Sequence, residues 1–158
     1  MIPSCCAETV CDTGRTLALV TTGDYNTSHA LSLFDVGHSE GKRVAGTGLH
    51  LLRPDTRRRA ARVPLEFTHA AFSPDGILLA LARNDHRTHL YDVRYLSEDP
   101  VAELEHLPVE RPRADHEEFG ITGLYWVEGW NEVRTAQGGL GLVTAGADGN
   151  SFFLISFF

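Results

Sequence analysis

Positive charge is scarce in this chain. Across 158 residues, 14 lysines and arginines face 21 aspartates and glutamates, a formal net charge of −7. That deficit argues against general binding to nucleic acids or anionic membranes, which are themselves polyanions. Cysteine is scarce too: Cys5, Cys6 and Cys11 all lie near the N-terminus. An odd number cannot complete a disulfide framework, so an intracellular protein is expected. The three lack the spaced ligand pairs of a structural zinc site, and an unremarkable thiol cluster is expected in place of a metal. No basic region followed by an apolar run marks a secretory signal, and without a secretory route the Asn26-Thr27-Ser28 acceptor pattern carries little meaning. No stretch approaches the roughly 20 apolar residues that cross a bilayer as a helix. Also missing are a Gly-x-Ser-x-Gly elbow, a His-Glu-x-x-His pair and a phosphate-binding loop, so neither catalysis nor a cofactor is expected.

What the chain does have is 42 % hydrophobic residues, enough for a core at this length. The most legible stretch runs from Glu66 to Asp92. Phe72 closes a short apolar run, Ser73-Pro74-Asp75-Gly76 supplies a tight turn, and Ile77 to Ala82 is nearly all apolar. Proline fixes φ at the first central turn position, aspartate bonds its local backbone, and glycine tolerates positive φ. A polar turn at Asn84 to His86 leads into a third strand ending at Tyr91-Asp92. Phe72, Ile77, Leu79, Leu90 and Tyr91 are expected in the core. His86 and His89, flanking the turn, are expected to face solvent.

Two weaker copies flank this unit. The first has Thr13-Gly14 as its turn, Thr16 to Thr21 as a strand, and a strand ending at Phe34-Asp35; Gly48 to Leu52 is expected as its outer strand, and residues 1–12 give no clear element. The last has strands at Ile121 to Trp126, Gly141 to Ala145 and Ser151 to Ser156, with Ile155-Ser156 at the dipeptide position. Val101 to Leu107 alternates apolar and polar residues and suits an exposed fourth strand of the central unit.

Three such copies resemble blades of the WD-repeat β-propeller family, whose blades carry a Phe-Ser-Pro-Asp-Gly turn and end the third strand in Trp-Asp. The fold expected from the resemblance is all-β: four-stranded antiparallel blades in an incomplete ring. The first blade with its connecting loop takes 1–62, the central blade 63–107, and the last blade, lacking its fourth strand, 108–158. Closed propellers use about four to eight blades. Either the chain is part of a longer propeller or it closes its ring with other subunits, and self-association through open blade edges is expected of the isolated chain.

The dipeptide positions Asp35, Asp92 and Ser156 stand further apart than the roughly 40 to 45 residues of a WD-type blade. Both intervals therefore hold insertions. One carries Arg53, Arg57, Arg58, Arg59 and Arg62, a basic cluster able to meet an acidic or phosphorylated partner. The other holds the acidic tract with Asp115, Glu117 and Glu118. Either could equally be a solvated loop. The family's buried polar relay maps only in part: Asp148 takes the position of its Asp, and His116 is the candidate for its His. This is an architectural pair. In the central unit Asn84 falls at the Asp position and no relay is expected. The resemblance implies a scaffold that binds other proteins. The alternatives are an enzyme whose active site lies in further blades, and a reader of phosphorylated or acidic peptides through the arginine loop.

Overall fold

In Leu17-Ala18-Leu19-Val20 and Leu79-Ala80-Leu81-Ala82 every side chain is apolar, so a strand built from either carries apolar groups on both faces and must be covered on both. A computed structural model describes residues 4–22, 29–37, 40–49, 66–105, 120–128, 140–146 and 152–157, and in it these sequences are the second strands of two stacked sheets. The first sheet comprises β1 (Ser4–Val10), β2 (Thr16–Thr22), β3 (His29–Asp35) and β4 (Lys42–Leu49). The second comprises β5 (Phe67–Phe72), β6 (Leu78–Arg83), β7 (Arg87–Asp92) and β8 (Ala102–Glu105). In the third, β9 (Ile121–Glu128), β10 (Leu140–Gly146) and β11 (Phe152–Phe157) make three strands among the described residues. Every sheet is an antiparallel meander in chain order.

The all-β expectation holds, as blades of an open propeller with no closed ring among the described residues. Several boundaries are corrected. The first blade opens with β1, a strand not anticipated within residues 1–12. Its outer strand, Lys42–Leu49, begins six residues before the expected Gly48, and residues 50–52 of the expected strand lie outside the described residues. A rim strand is largely solvated, so it needs no apolar alternation to form; here all of Lys42, Arg43 and Val44 are exposed. The central blade's fourth strand, Ala102–Glu105 among the described residues, begins one residue after the expected Val101, and residues 106 and 107 lie outside the described residues.

Local chemistry sets the turns. In Ser73-Pro74-Asp75-Gly76, the Ser73 hydroxyl accepts the Leu78 N–H at 2.8 Å and donates to Asp75 Oδ1 at 2.5 Å, while the same oxygen accepts the Ile77 N–H at 3.0 Å. Gly76 has φ of 71°, a region that costs residues with a Cβ. At the far end of β7, Asp92 accepts the Arg94 N–H and caps a 3₁₀ turn, Val93–Tyr95. The paired Arg94 guanidinium holds the Asp92 carboxyl below its usual range.

Core positions follow the register. Leu79 and Leu81, with Phe67, Phe72 and Tyr91, pack against Ala18, Val20, Leu31 and Leu33 of the first blade. The opposite face of the central blade, through Ala80, Ala82 and Leu90, packs on Ile121, Leu124 and Leu142 of the third. Of the expected core residues, Phe72, Leu79, Leu90 and Tyr91 are buried, whereas Ile77, placed in the turn before β6, is only half-buried. Two side chains stitch the second interface: Thr68 donates to the Ile121 carbonyl at 2.7 Å, and the Trp126 indole N–H to the Ala71 carbonyl at 3.0 Å.

Candidate functional site

Fourth strands run in the same direction in the first two sheets, so both sheet-to-sheet connections leave from one end, the end that also bears the turn between β6 and β7. That turn is Asn84-Asp85-His86, with His86 at φ of 64°, the left-handed position that closes a three-residue hairpin. Asn84 exchanges hydrogen bonds with Glu66, the residue before β5: its N–H donates to the Glu66 carbonyl, and its Oδ1 accepts the Glu66 N–H, both at 3.0 Å. Gly120, the residue before β9, abuts the same turn; a Cβ there would lie 2.5 Å from the Asn84 Cα. The chain thus enters the second and third blades beside one residue. Asn84 joins the incoming chain to the sheet.

Beneath this turn lies a buried polar cluster facing the first blade. Arg83, only 1 % exposed, ends β6. A buried guanidinium is costly unless its donors are met; here Nη2 reaches Asp85 Oδ2 at 2.5 Å and Nη1 lies 2.9 Å from His89 Nε2, while Nε has no partner among the described residues. His89, directly opposite Glu103 in the sheet, also brings Nε2 to 3.0 Å from Glu103 Oε2. The other Glu103 oxygen pairs with Arg87. On its far side, His89 Nδ1 lies 3.3 Å from the Tyr91 hydroxyl. Burial lowers the His89 pKa and Arg83 adds to the effect, against the opposing pull of Glu103. Burial raises that of Tyr91.

The first blade adds His29, at the start of β3. Its ring meets Phe67 edge-on at 5.6 Å between centroids, and Phe67 meets His89 at 5.9 Å. His29 is 2 % exposed, and neither ring nitrogen has a hydrogen-bond partner among the described residues. Burial lowers its pKa; Glu66 opposes and Arg83 reinforces the shift. The cluster therefore ties three strands of the central blade together and, through the aromatic row His29–Phe67–His89, to its neighbour.

Solvent exposure, expected for His86 and His89, is not found: His89 is buried and His86 half-buried. The reason is register, which puts His89 between Leu81 and Glu103 on a covered face. Arg53, Arg57, Arg58, Arg59, Arg62, His116 and Asp148 lie outside the described residues. Arg83, Asp85, His29 and Glu103 were not singled out in the sequence, although the opposition of His89 and Glu103 across neighbouring strands was a usable signal. At the other end of the sheets, the Cys11 thiol is free and buried. Burial pushes it up, but hydrogen bonds from Thr13 and from the Thr16 and Arg15 backbone outweigh that and bring it to about 7. No group of three metal-ligating side chains occurs among the described residues.

No family model matches the sequence, and no curated protein is similar to it. A solved structure described as the Dos1 propeller is similar in fold, with a TM-score of 0.59 at 16 % identity over 98 % of this chain. The chain spans about a third of that neighbour's length, 33 %. At this identity the likeness speaks to fold, and the fold is that of propeller blades.

Proposed function

We propose that this chain is part of a WD-repeat-type propeller that works inside the cell as a scaffold for other proteins, by binding and without catalysis. The observation that carries the reading is the convergence at Asn84. Glu66 and Gly120 bring both sheet-to-sheet connections, one containing the arginine cluster and the other the acidic tract, to one end of a stack fixed by buried contacts. Loops presented by a rigid scaffold are where binding residues concentrate. The WD-repeat assignment is supported by the Ser73-Pro74-Asp75-Gly76 turn and by Phe34-Asp35 and Tyr91-Asp92 ending equivalent strands. The odd number of cysteines, Cys5, Cys6 and Cys11, supports a reducing compartment.

Affinity capture with the tagged chain tests this reading. A reproducible set of proteins should be retained by the parent and lost when Arg53, Arg57, Arg58, Arg59 and Arg62 are all replaced by serine, with the thermal melt unchanged. Retention of the same set by the variant would move the binding face elsewhere. No specific set with either protein would contradict the scaffold reading.

A further inference from the structure

The two faces of the central blade differ in what they bury. Among the described residues, the buried side chains where it meets the third blade are apolar or threonine, and none of them titrates. Where it meets the first blade two histidines are buried, His89 of the central blade and His29 of the first. They differ in what a further proton would meet. Glu103 Oε2 lies 3.0 Å from His89 Nε2 and the Tyr91 hydroxyl 3.3 Å from Nδ1, so a charged His89 ring has an acceptor at each nitrogen, against the opposition of Arg83.

His29 has neither. Both its nitrogens are buried without a hydrogen-bond partner among the described residues, and its ring rests edge-on against Phe67. Within its own sheet it stands between Thr22 of β2 and Leu49 of β4, which do not titrate. The charges that act on it from the central blade are Arg83, at the end of β6, and Glu66, before β5; His89 and Glu103 lie beyond Phe67. Arg83 is a buried cation and opposes a second one, whereas Glu66 is exposed and attracts a charged ring from the solvent side. A buried ion needs a partner. The charged His29 ring is therefore stable only outside the interface, where water and Glu66 can meet it.

We propose that His29 is an acid-sensitive latch between the first and central blades: taking up a proton drives its ring away from Phe67 and opens that interface at the Asn84 end, while the interface with the third blade stays closed. The bonds that hold the third blade, from Thr68 to the Ile121 carbonyl and from Trp126 to the Ala71 carbonyl, involve no titratable group. Glu66, which Asn84 holds, places the latch at the end from which both sheet-to-sheet connections leave. The proposal rests on the stacked blades and not on the scaffold function, which the capture experiment judges separately.

Thiol labelling is the test, in a chain whose Cys5, Cys6 and Cys11 are replaced by alanine. Thr22→Cys places a reporter opposite His29, and Thr144→Cys a control beside Leu124 at the other interface; both threonines are buried. Rates are normalised to a free thiol peptide at the same pH. Once outside, the ring titrates near its ordinary 6.5, so opening grows about tenfold for each pH unit below that. From about pH 7.5 to about pH 5.5 the Thr22→Cys rate should rise about tenfold and the Thr144→Cys rate stay level. His29→Gln should abolish the rise, and His89→Gln should leave it. Amide protection in β3 against β10, compared between parent and His29→Gln, gives the same contrast with the cysteines intact. An equal rise at both reporters signals unfolding of the whole stack and overturns the proposal. So does a rise that survives His29→Gln, one that vanishes in His89→Gln, or no rise at all.

Discussion

Arg83 and Glu103 compete for a single atom. The guanidinium lies 2.9 Å from Nε2 of His89 and the carboxylate 3.0 Å from it, yet one ring nitrogen either accepts from the first or donates to the second. Neutral His89 with its proton on Nδ1 satisfies Arg83. A proton on Nε2 turns the ring toward Glu103 and against the cation.

This relationship gives the fold a pH dependence. His89 and His29 both have pKa values lowered from the ordinary 6.5, chiefly by burial. Between the lowered and ordinary values the unfolded chain binds more protons than the folded one, so stability falls as pH drops below about 6.5. Carboxylates titrate mostly below about pH 5, which leaves the interval above it to histidine. Urea melts should show stability declining from about pH 7 to about pH 5, and a less steep decline in His29→Gln and His89→Gln. Equal slopes in parent and variants would contradict the assignment.

Ser73 is fully buried and its hydroxyl both accepts from Leu78 and donates to Asp75. Ser73→Ala leaves both groups short of a partner and should cost about 1 to 3 kcal/mol in denaturant melts. Thr13→Ala, in the exposed first-blade turn, should cost less. The reverse order would mean that the turn does not organise the central hairpin.

Thr68 and Trp126 hold the second blade to the third through bonds to Ile121 and Ala71 carbonyls. Thr68→Val and Trp126→Phe each remove one donor while keeping most of the apolar contact. Each should destabilise by about 1 kcal/mol, near the usual worth of a hydrogen bond. Proteolysis should cut the third blade before the other two in both variants. Loss of all three blades together would place these bonds in a single cooperative unit.

The repeat was legible because its register is written in apolar residues: Leu17, Leu79 and Leu142 hold equivalent places, and Phe34-Asp35 and Tyr91-Asp92 end equivalent strands. The rim was not. Lys42-Arg43-Val44-Ala45-Gly46 reads as loop because an outer strand has little apolar surface to bury, and β1 was obscured by Ser4-Cys5-Cys6, which shows no alternation. The polar cluster was missed for a different reason. Charged residues are almost never fully buried unless paired, and Arg83 and Glu103 meet at His89 only once three strands are aligned. His89 therefore looked like a surface residue until its place beside Glu103 was fixed.

Amide hydrogen exchange on the intact chain measures most directly whether the central blade is enclosed between two others. Strands buried on both faces open only with the whole fold, whereas rim strands open locally. Amides of β6 and β7, at Leu79, Ala80, Leu81, Leu90 and Tyr91, should exchange slowest, at the rate of global unfolding, with β4 and β8 faster by several orders of magnitude. Exchange in β6 and β7 as fast as at the rim would contradict the stacked-blade architecture.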